Sequence, residues 1–306
     1  MNSQLQKTKK TLFDKCGVSL VATILSSPND EEDDVHNGGI ILTLYLHRHA
    51  EKNVINPTMI SLLIEALTVV ETHPLLIHTN NKALIITGVD RDDDDKKKKI
   101  SKMGKFFGNG LDLDWMVRAS NNQTWAAEES AGENPTSQMI EKFNSQVLAK
   151  ILTLPFRTIA AINGHCIGAG LFLALACDYR FMRTQRGYIQ WPEARLGMRL
   201  TKGFAELSKA KIGDYAVLRE ALLTSKRYTS QEAFSSGIID GEYPLEELYS
   251  AAFLFAMEGL PESSNSKNPL DFFDPKCYSE MKMELYTDAY RALKFGKVSD
   301  SPHSRI

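Results

Sequence analysis

The residues of this 306-residue chain that could do chemistry gather in two short segments. In Lys105-Phe106-Phe107-Gly108-Asn109-Gly110-Leu111-Asp112-Leu113, two aromatics lead into a glycine pair and then a helix start. In Gly164-His165-Cys166-Ile167-Gly168-Ala169-Gly170, a strand turns into a helix through small residues that let a ligand approach the backbone closely. Amides at a helix N-terminus are unpaired and the helix dipole favours negative charge there, so such a turn can stabilise a developing oxyanion. Glu193, in Trp191-Pro192-Glu193, reads by itself as a solvated surface residue. Neither glycine segment carries GK[ST] or a regular G-x-G-x-x-G, which argues against nucleoside triphosphate and dinucleotide sites. His165 has no Ser or Cys nucleophile constellation around it and reads as a structural hydrogen-bonding residue. Asp112 is placed to cap a helix, Asp178 reads as structural, and Cys166 and Cys177 lie in apolar runs as small core residues.

Strands and helices must hold these segments. Residues 1–37 combine a polar, lysine-containing lead with the acidic run Asp30 to Asp34 and read as a flexible tail. Ile40 to Leu46 is a buried strand, and a helix follows with Asn56 as its cap, Pro57 in its first turn, and Ile60, Leu63, Leu67 and Val70 at helical spacing. Ala83 to Thr87 is a second strand. The tract Asp92 to Lys99, four aspartates and four lysines, reads as a solvated insertion, and Asn121 to Pro135 as another exposed loop. A helical pattern returns over Ile140 to Leu154, then a strand over Thr158 to Ile162 and a helix from about Gly170 to Cys177. Thr229 and Glu232 form a capping box with Gly237 placed to end that helix, and Leu245 to Phe295 reads as helices. The fold class is α/β: a core over 38–240 and a helical C-terminal region over 241–306.

Composition narrows the function. With 36 Lys+Arg against 38 Asp+Glu the net charge is -2, so no global field draws the chain to nucleic acid. The apolar run from Ile159 to Cys177 is broken by Asn163, His165 and glycines, so no membrane span is expected and the chain should be soluble. The four cysteines show no CxxC pair, which indicates neither a zinc site nor a disulfide framework.

KFFGNGLDL, LPFRTIAAINGHCIGAGLFLALACDYRFM, WPEARLGM and TSQEAFSSGIID together resemble the crotonase superfamily, the enoyl-CoA hydratase/isomerase family, and most closely its peroxisomal Δ3,Δ2-enoyl-CoA isomerase branch. The resemblance runs from Ile40 to Asp240. Family members often have Ser or Ala where Gly108 stands and Gly where Ala169 stands, changes that leave backbone amides in place. The resemblance implies a superhelix of ββα units, association as a trimer or a dimer of trimers, and an acyl-CoA thioester as substrate. No separate cofactor or metal is expected, CoA being part of the substrate. It also implies that the thioester oxygen sits between the backbone amides of Leu111 and Ala169, with Gly110, Asp112, Gly168 and Phe172 lining the substrate and Arg48, in the His47-Arg48-His49 loop with Lys52, contacting a CoA phosphate.

Members that add water use two glutamates. Here the first position is Phe172 and the second is Glu193, which favours moving one proton between two carbons of the same substrate: a 3-enoyl to 2-enoyl-CoA isomerase of fatty-acid β-oxidation. Phe172 and Trp191 would surround Glu193 with apolar surface and raise its pKa. The alternatives are a hydratase and a non-catalytic acyl-CoA binder. The ending Ser304-Arg305-Ile306 has the small, basic, aliphatic order of a peroxisomal address, with cytosol or mitochondrion as alternatives.

Overall fold

The computed structural model describes residues 6–26, 39–88, 104–121, 134–258 and 274–298. A seven-stranded sheet forms its middle, in the order β1-β2-β3-β4-β6-β8-β11, with a four-stranded sheet β10-β9-β7-β5 beside it. Strands β3 (Gly39–Leu46), β4 (Lys82–Thr87), β6 (Arg157–Ile162), β8 (Tyr179–Arg183) and β11 (Gly241–Tyr243) run parallel. In the small sheet β5 (Phe106–Asn109), β7 (His165–Ile167) and β9 (Ile189–Gln190) are parallel, and β10 (Arg227–Tyr228) closes it antiparallel.

Every residue of β3 is buried, as a strand covered on both faces requires; hence its near-continuous aliphatic run. Ile41, Ile85, Ile159 and Ala161 face α10 (Leu245–Met257), which contributes Leu248, Ala252, Phe253 and Ala256. On that face Thr43 Oγ1 and the Tyr249 hydroxyl share a 2.9 Å hydrogen bond. Leu42, Leu44, Leu84 and Ala160 face the larger core, with α1 (Pro57–Thr72) and α6 (Ala169–Ala176). α6 is apolar all round because it is buried all round.

Two strands, one in each sheet, then helix: the unit occurs three times. β4 and β5 lead to α3 (Leu113–Asn121), β6 and β7 to α6, and β8 and β9 to α7 (Lys202–Lys211), so the expected ββα repeat is present. Between the first two units, α4 (Pro135–Phe143), a π turn at Asn144–Leu148 and α5 (Ala149–Thr153) make up the helical stretch expected over Ile140 to Leu154. The Asn56 cap of α1 accepts the Met59 amide at 3.0 Å, with the short α2 (Pro74–Ile77) after it. After α8 (Tyr215–Thr224), α9 (Ser230–Ser235) starts on the Thr229–Glu232 capping box, and Gly237 follows at φ +67°.

Two expectations need correction. Residues 6–26 are not a tail: β1 (Gln6–Lys15) and β2 (Val18–Ser26) form an antiparallel hairpin on the edge of the main sheet, β2 pairing with β3. Cys16 at φ +47° and Gly17 at φ +81° make its tight turn. β1 is lysine-rich because it is an exposed edge, where charge discourages further pairing, and that polarity hides the strand in sequence. The acidic run Asp30 to Asp34 lies outside the described residues, as do the Asp92 to Lys99 tract and residues 122–133. The boundary expected at residue 240 also shifts, while the region after it is helical and packs on the core as expected. β11 extends the sheet to Tyr243, α10 covers one sheet face, and α11 (Pro275–Leu285) and α12 (Thr287–Phe295) pack on α5 and α7. Among the described residues no helix is long and apolar enough to cross a membrane, and no group of three or more His, Cys, Asp or Glu could hold a metal ion.

Candidate active site

The C-terminal ends of β5, β7 and β9 bring the two glycine segments and Trp191-Pro192-Glu193 together. After β5 the chain turns at Gly110, φ +87°, and makes a single parallel bridge with Ile55. The Ile55 amide donates to the Gly110 carbonyl at 2.8 Å and the Asp112 amide to the Ile55 carbonyl at 3.0 Å. In a parallel bridge the residue between those two points its own amide away, so Leu111 N–H is left with no acceptor among the described residues. Asp112 does cap α3: its Oδ1 accepts the Trp115 amide at 2.9 Å, while its Oδ2 accepts from Asn56 Nδ2 at 3.1 Å. The starts of α1 and α3 are thereby tied together beside the Leu111 amide.

β7 ends in Gly168, φ +49° and ψ -121°, a conformation open to glycine. Its amide donates to the Gln190 carbonyl at 3.1 Å and its carbonyl accepts the Phe172 amide at 3.0 Å, which starts α6 and leaves the Ala169 amide, in the first turn, without an acceptor among the described residues. A Cβ on Gly110 would lie 3.9 Å from the Ala169 nitrogen, and one on Gly168 3.6 Å from the Gly110 Cα and 3.4 Å from Pro192 Cγ. The two free amides and the turn carrying Glu193 therefore share one locus. Gly170 has a different reason to be glycine: a Cβ there would fall 2.5 Å from the Gly108 carbonyl oxygen.

Glu193 follows β9 in an irregular turn held by the Leu196 amide on the Pro192 carbonyl at 3.0 Å and the Met198 amide on the Glu193 carbonyl at 2.9 Å. Trp191 is buried, with its Nε1 donating to Ser208 Oγ at 3.1 Å. The Glu193 Oε2 is buried with no hydrogen-bond partner. Burial pushes its pKa up to about 7, its own backbone N–H opposing only in part. A carboxyl poised there can both take and return a proton near neutral pH.

Two expected site residues, Phe172 and Arg48, and the structural His165 sit differently from expectation. Phe172 is fully buried, its ring stacked on Phe204 at 4.0 Å and 8°, so it belongs to the core and not to an open substrate wall. Arg48 is no free phosphate ligand: its guanidinium pairs with Glu51 and donates to the Cys16 carbonyl at 3.1 Å. Open cations lie nearby instead, Lys52 and Arg118, on a cleft of about 460 Å³ that also includes Asn109, Leu111 and Asp112. Lys52 was legible as part of the basic loop, whereas Arg118 gave no signal beyond a charge on α3. His165 is held by rings, not hydrogen bonds: it lies between Phe106 at 5.0 Å and Tyr188 at 4.3 Å, and its Nδ1 has no partner. Burial and the cations Arg186, Arg227 and Lys105 lower its pKa. Asp178 is structural as read, paired with Lys282 at 2.7 Å and accepting the Thr158 amide. Both Cys166 and Cys177 are buried, and burial pushes the Cys177 thiol up to about 12.

The chain is 44% identical over 186 residues to "Enoyl-CoA delta isomerase 2, peroxisomal" of Arabidopsis thaliana, covering 60% of this chain and 71% of that one. It is 40% identical over 140 residues to "Enoyl-CoA delta isomerase 3" of the same plant, covering 45% of this chain and 53% of that relative's length. A solved structure of a probable enoyl-CoA hydratase from Mycobacterium tuberculosis superposes with a TM-score of 0.66 over 95% of this chain and 97% of the other; at 19% identity it speaks for the fold alone. The family model for enoyl-CoA hydratase/isomerase matches residues 36–270, from the third strand through both glycine turns and past Glu193, and the chain belongs to that family.

Proposed function

We propose that this protein is an enoyl-CoA isomerase that moves the double bond of a 3-enoyl-CoA to the conjugated 2-enoyl position in fatty-acid β-oxidation. The observation that carries this reading is a single carboxylate, Glu193, whose buried Oε2 has no hydrogen-bond partner, on a turn next to two amides without acceptors among the described residues, while the position of a second carboxylate is occupied by Phe172 stacked in the core. The names of the two Arabidopsis relatives support it.

The thioester oxygen accepts from the amides of Leu111 and Ala169. Glu193 removes a proton from the carbon between the thioester and the double bond, and the resulting dienolate keeps its charge on the oxygen held by the amides. One such donor is worth about 3 kcal/mol in acyl-transfer enzymes. Protonated Glu193 then delivers the proton to the far end of the former double bond, which restores the carboxylate. Phe172 offers nothing to activate water, so hydration is slow. The cycle calls on no cofactor or metal, because CoA enters as part of the substrate. Lys52 and Arg118 on the cleft beside Leu111 suit the CoA phosphates. The proposal extends to a peroxisomal location, supported by the first relative's name, and to a homotrimer or a dimer of trimers.

The experiment supplies 3-enoyl-CoA and 2-enoyl-CoA separately to the purified protein and follows mass. Mass-neutral conversion of the first, with little hydration of the second, is the expected result. Rapid hydration without isomerisation makes the protein a hydratase; binding without either conversion makes it an acyl-CoA binder.

A further inference from the structure

Glu193 sits in irregular chain, outside any helix or strand, yet a base that serves two carbons of one substrate must be held to within a fraction of an ångström. Two polar side chains remote from the reacting atoms grip the residues on either side of it. Gln190, 4% exposed at the end of β9, gives its carbonyl to the Gly168 amide at 3.1 Å and sends its Nε2 to the Ser225 carbonyl at 2.8 Å. Ser225, 1% exposed, returns its Oγ to accept the Arg195 amide at 3.1 Å, two residues past Glu193. Both oxygens of one buried serine are thus committed to the segment that carries the carboxylate.

Ser225 does this from an unfavourable backbone. It ends α8 in the left-handed region, φ +52° and ψ +38°, where glycine or asparagine is the usual residue and a serine is strained. Nothing about ending α8 needs a hydroxyl there; only the Arg195 amide uses it. Gln190 is equally specific. Its main chain belongs to the small sheet and binds the glycine turn that presents the Ala169 amide, while its side chain reaches Ser225, so one residue links the oxyanion turn to the brace of the base. The Trp191 Nε1 bond to Ser208 anchors the same segment separately, which lets the turn survive loss of either brace bond.

We infer that Gln190 and Ser225 are positioning residues for the catalytic carboxylate, fixing the height of the Glu193 turn against the Gly168–Ala169 turn and keeping water from its buried oxygen. The inference rests on the reading of Glu193 as the base, so its test has one arm that needs no turnover.

Ser225→Gly keeps the carbonyl for Gln190, suits the left-handed backbone and removes only the Oγ. Gln190→Leu keeps the main-chain bond to Gly168 and removes only the Nε2 donor. Each variant is expected to lower kcat for 3-enoyl-CoA about tenfold with KM within about twofold, and Ser225→Gly to leave the thermal midpoint unchanged or higher. In the turnover-free arm, carbon-13 NMR titration of the Glu193 carboxyl, assigned by its loss in Glu193→Gln, moves down from near 7 towards the ordinary carboxylate range in both variants. Unchanged kcat and unchanged titration in both variants overturn the inference. A fall in thermal midpoint without any change in the Glu193 titration also overturns it, since that is what mere structural support produces. A moved titration in a protein whose wild type isomerises nothing upholds the positioning role and sinks the proposed reaction instead.

Discussion

At Glu193, burial of the carboxyl sets both reactivity and stability. The base must be ionised to begin the cycle, so kcat/KM rises with pH through about 7 and levels above it, a profile that pH–rate measurements on 3-enoyl-CoA will show. Glu193→Gln removes the proton carrier and leaves both amides, so turnover falls at least a thousandfold while calorimetry finds the affinity for a CoA ester within about twofold. The same carboxyl opposes folding once ionised. Its folded pKa of about 7 lies above the unfolded value, the folded state binds more protons between about pH 4.5 and 7, and its contribution to stability is lost as pH rises through 7. Glu193→Gln is therefore more stable than the parent at pH 8, by on the order of 3 kcal/mol, and the difference closes below about pH 5 in denaturant titrations.

At the scale of elements, close packing fixes the start of the oxyanion helix, and a buried cation sits at the end of the next one. At its start, α6 touches β5 through Gly170 and Gly108, and a Cβ at 170 would meet the Gly108 carbonyl oxygen at 2.5 Å. Gly170→Ala forces strand and helix apart, costing about 1–3 kcal/mol in thermal or chemical unfolding and more than tenfold in kcat. Gly213→Ala, with open space around its Cβ, is the matched control and changes neither. At the end of α7, Lys211 is buried with its Nζ 3.8 Å from the Tyr286 ring centroid and no hydrogen-bond partner. Burial pushes its pKa down to about 7, Asp178 opposing while Arg180 and Lys282 add to the shift. The unfolded chain binds more protons than the folded one between about pH 7 and 10.5, so the parent gains stability as pH rises through that window. Lys211→Met removes the penalty: the variant is more stable than the parent at pH 7 and below, and the advantage shrinks towards pH 10 in melting experiments.

For the whole molecule, the proposed function leads us to expect a trimer or its dimer by light scattering at micromolar concentration, and peroxisomal fluorescence from a fusion carrying the marker at the N-terminus. The architecture was legible in sequence wherever its cause was local. Asn56-Pro57 and Thr229 with Glu232 announce helix starts because caps act within one turn, and Ile40 to Leu46 announces a buried strand because both faces must be apolar. The two glycine segments were legible too, since their backbone conformations restrict residue type. Other features had causes distant in sequence. β1 and β2 are a hairpin because β3 offers an edge, and β9 and β10, two residues each, are too short to show a period. Arg48 is spent on Glu51, Phe172 on Phe204 and Ser225 on a turn thirty residues earlier, pairings that need coordinates. The sequence by itself determined which groups were available: two amide-bearing turns and one carboxylate. Only the tertiary structure decided that they meet and that Glu193 titrates near neutrality, because desolvation depends on everything packed around a group and not on its neighbours in the chain.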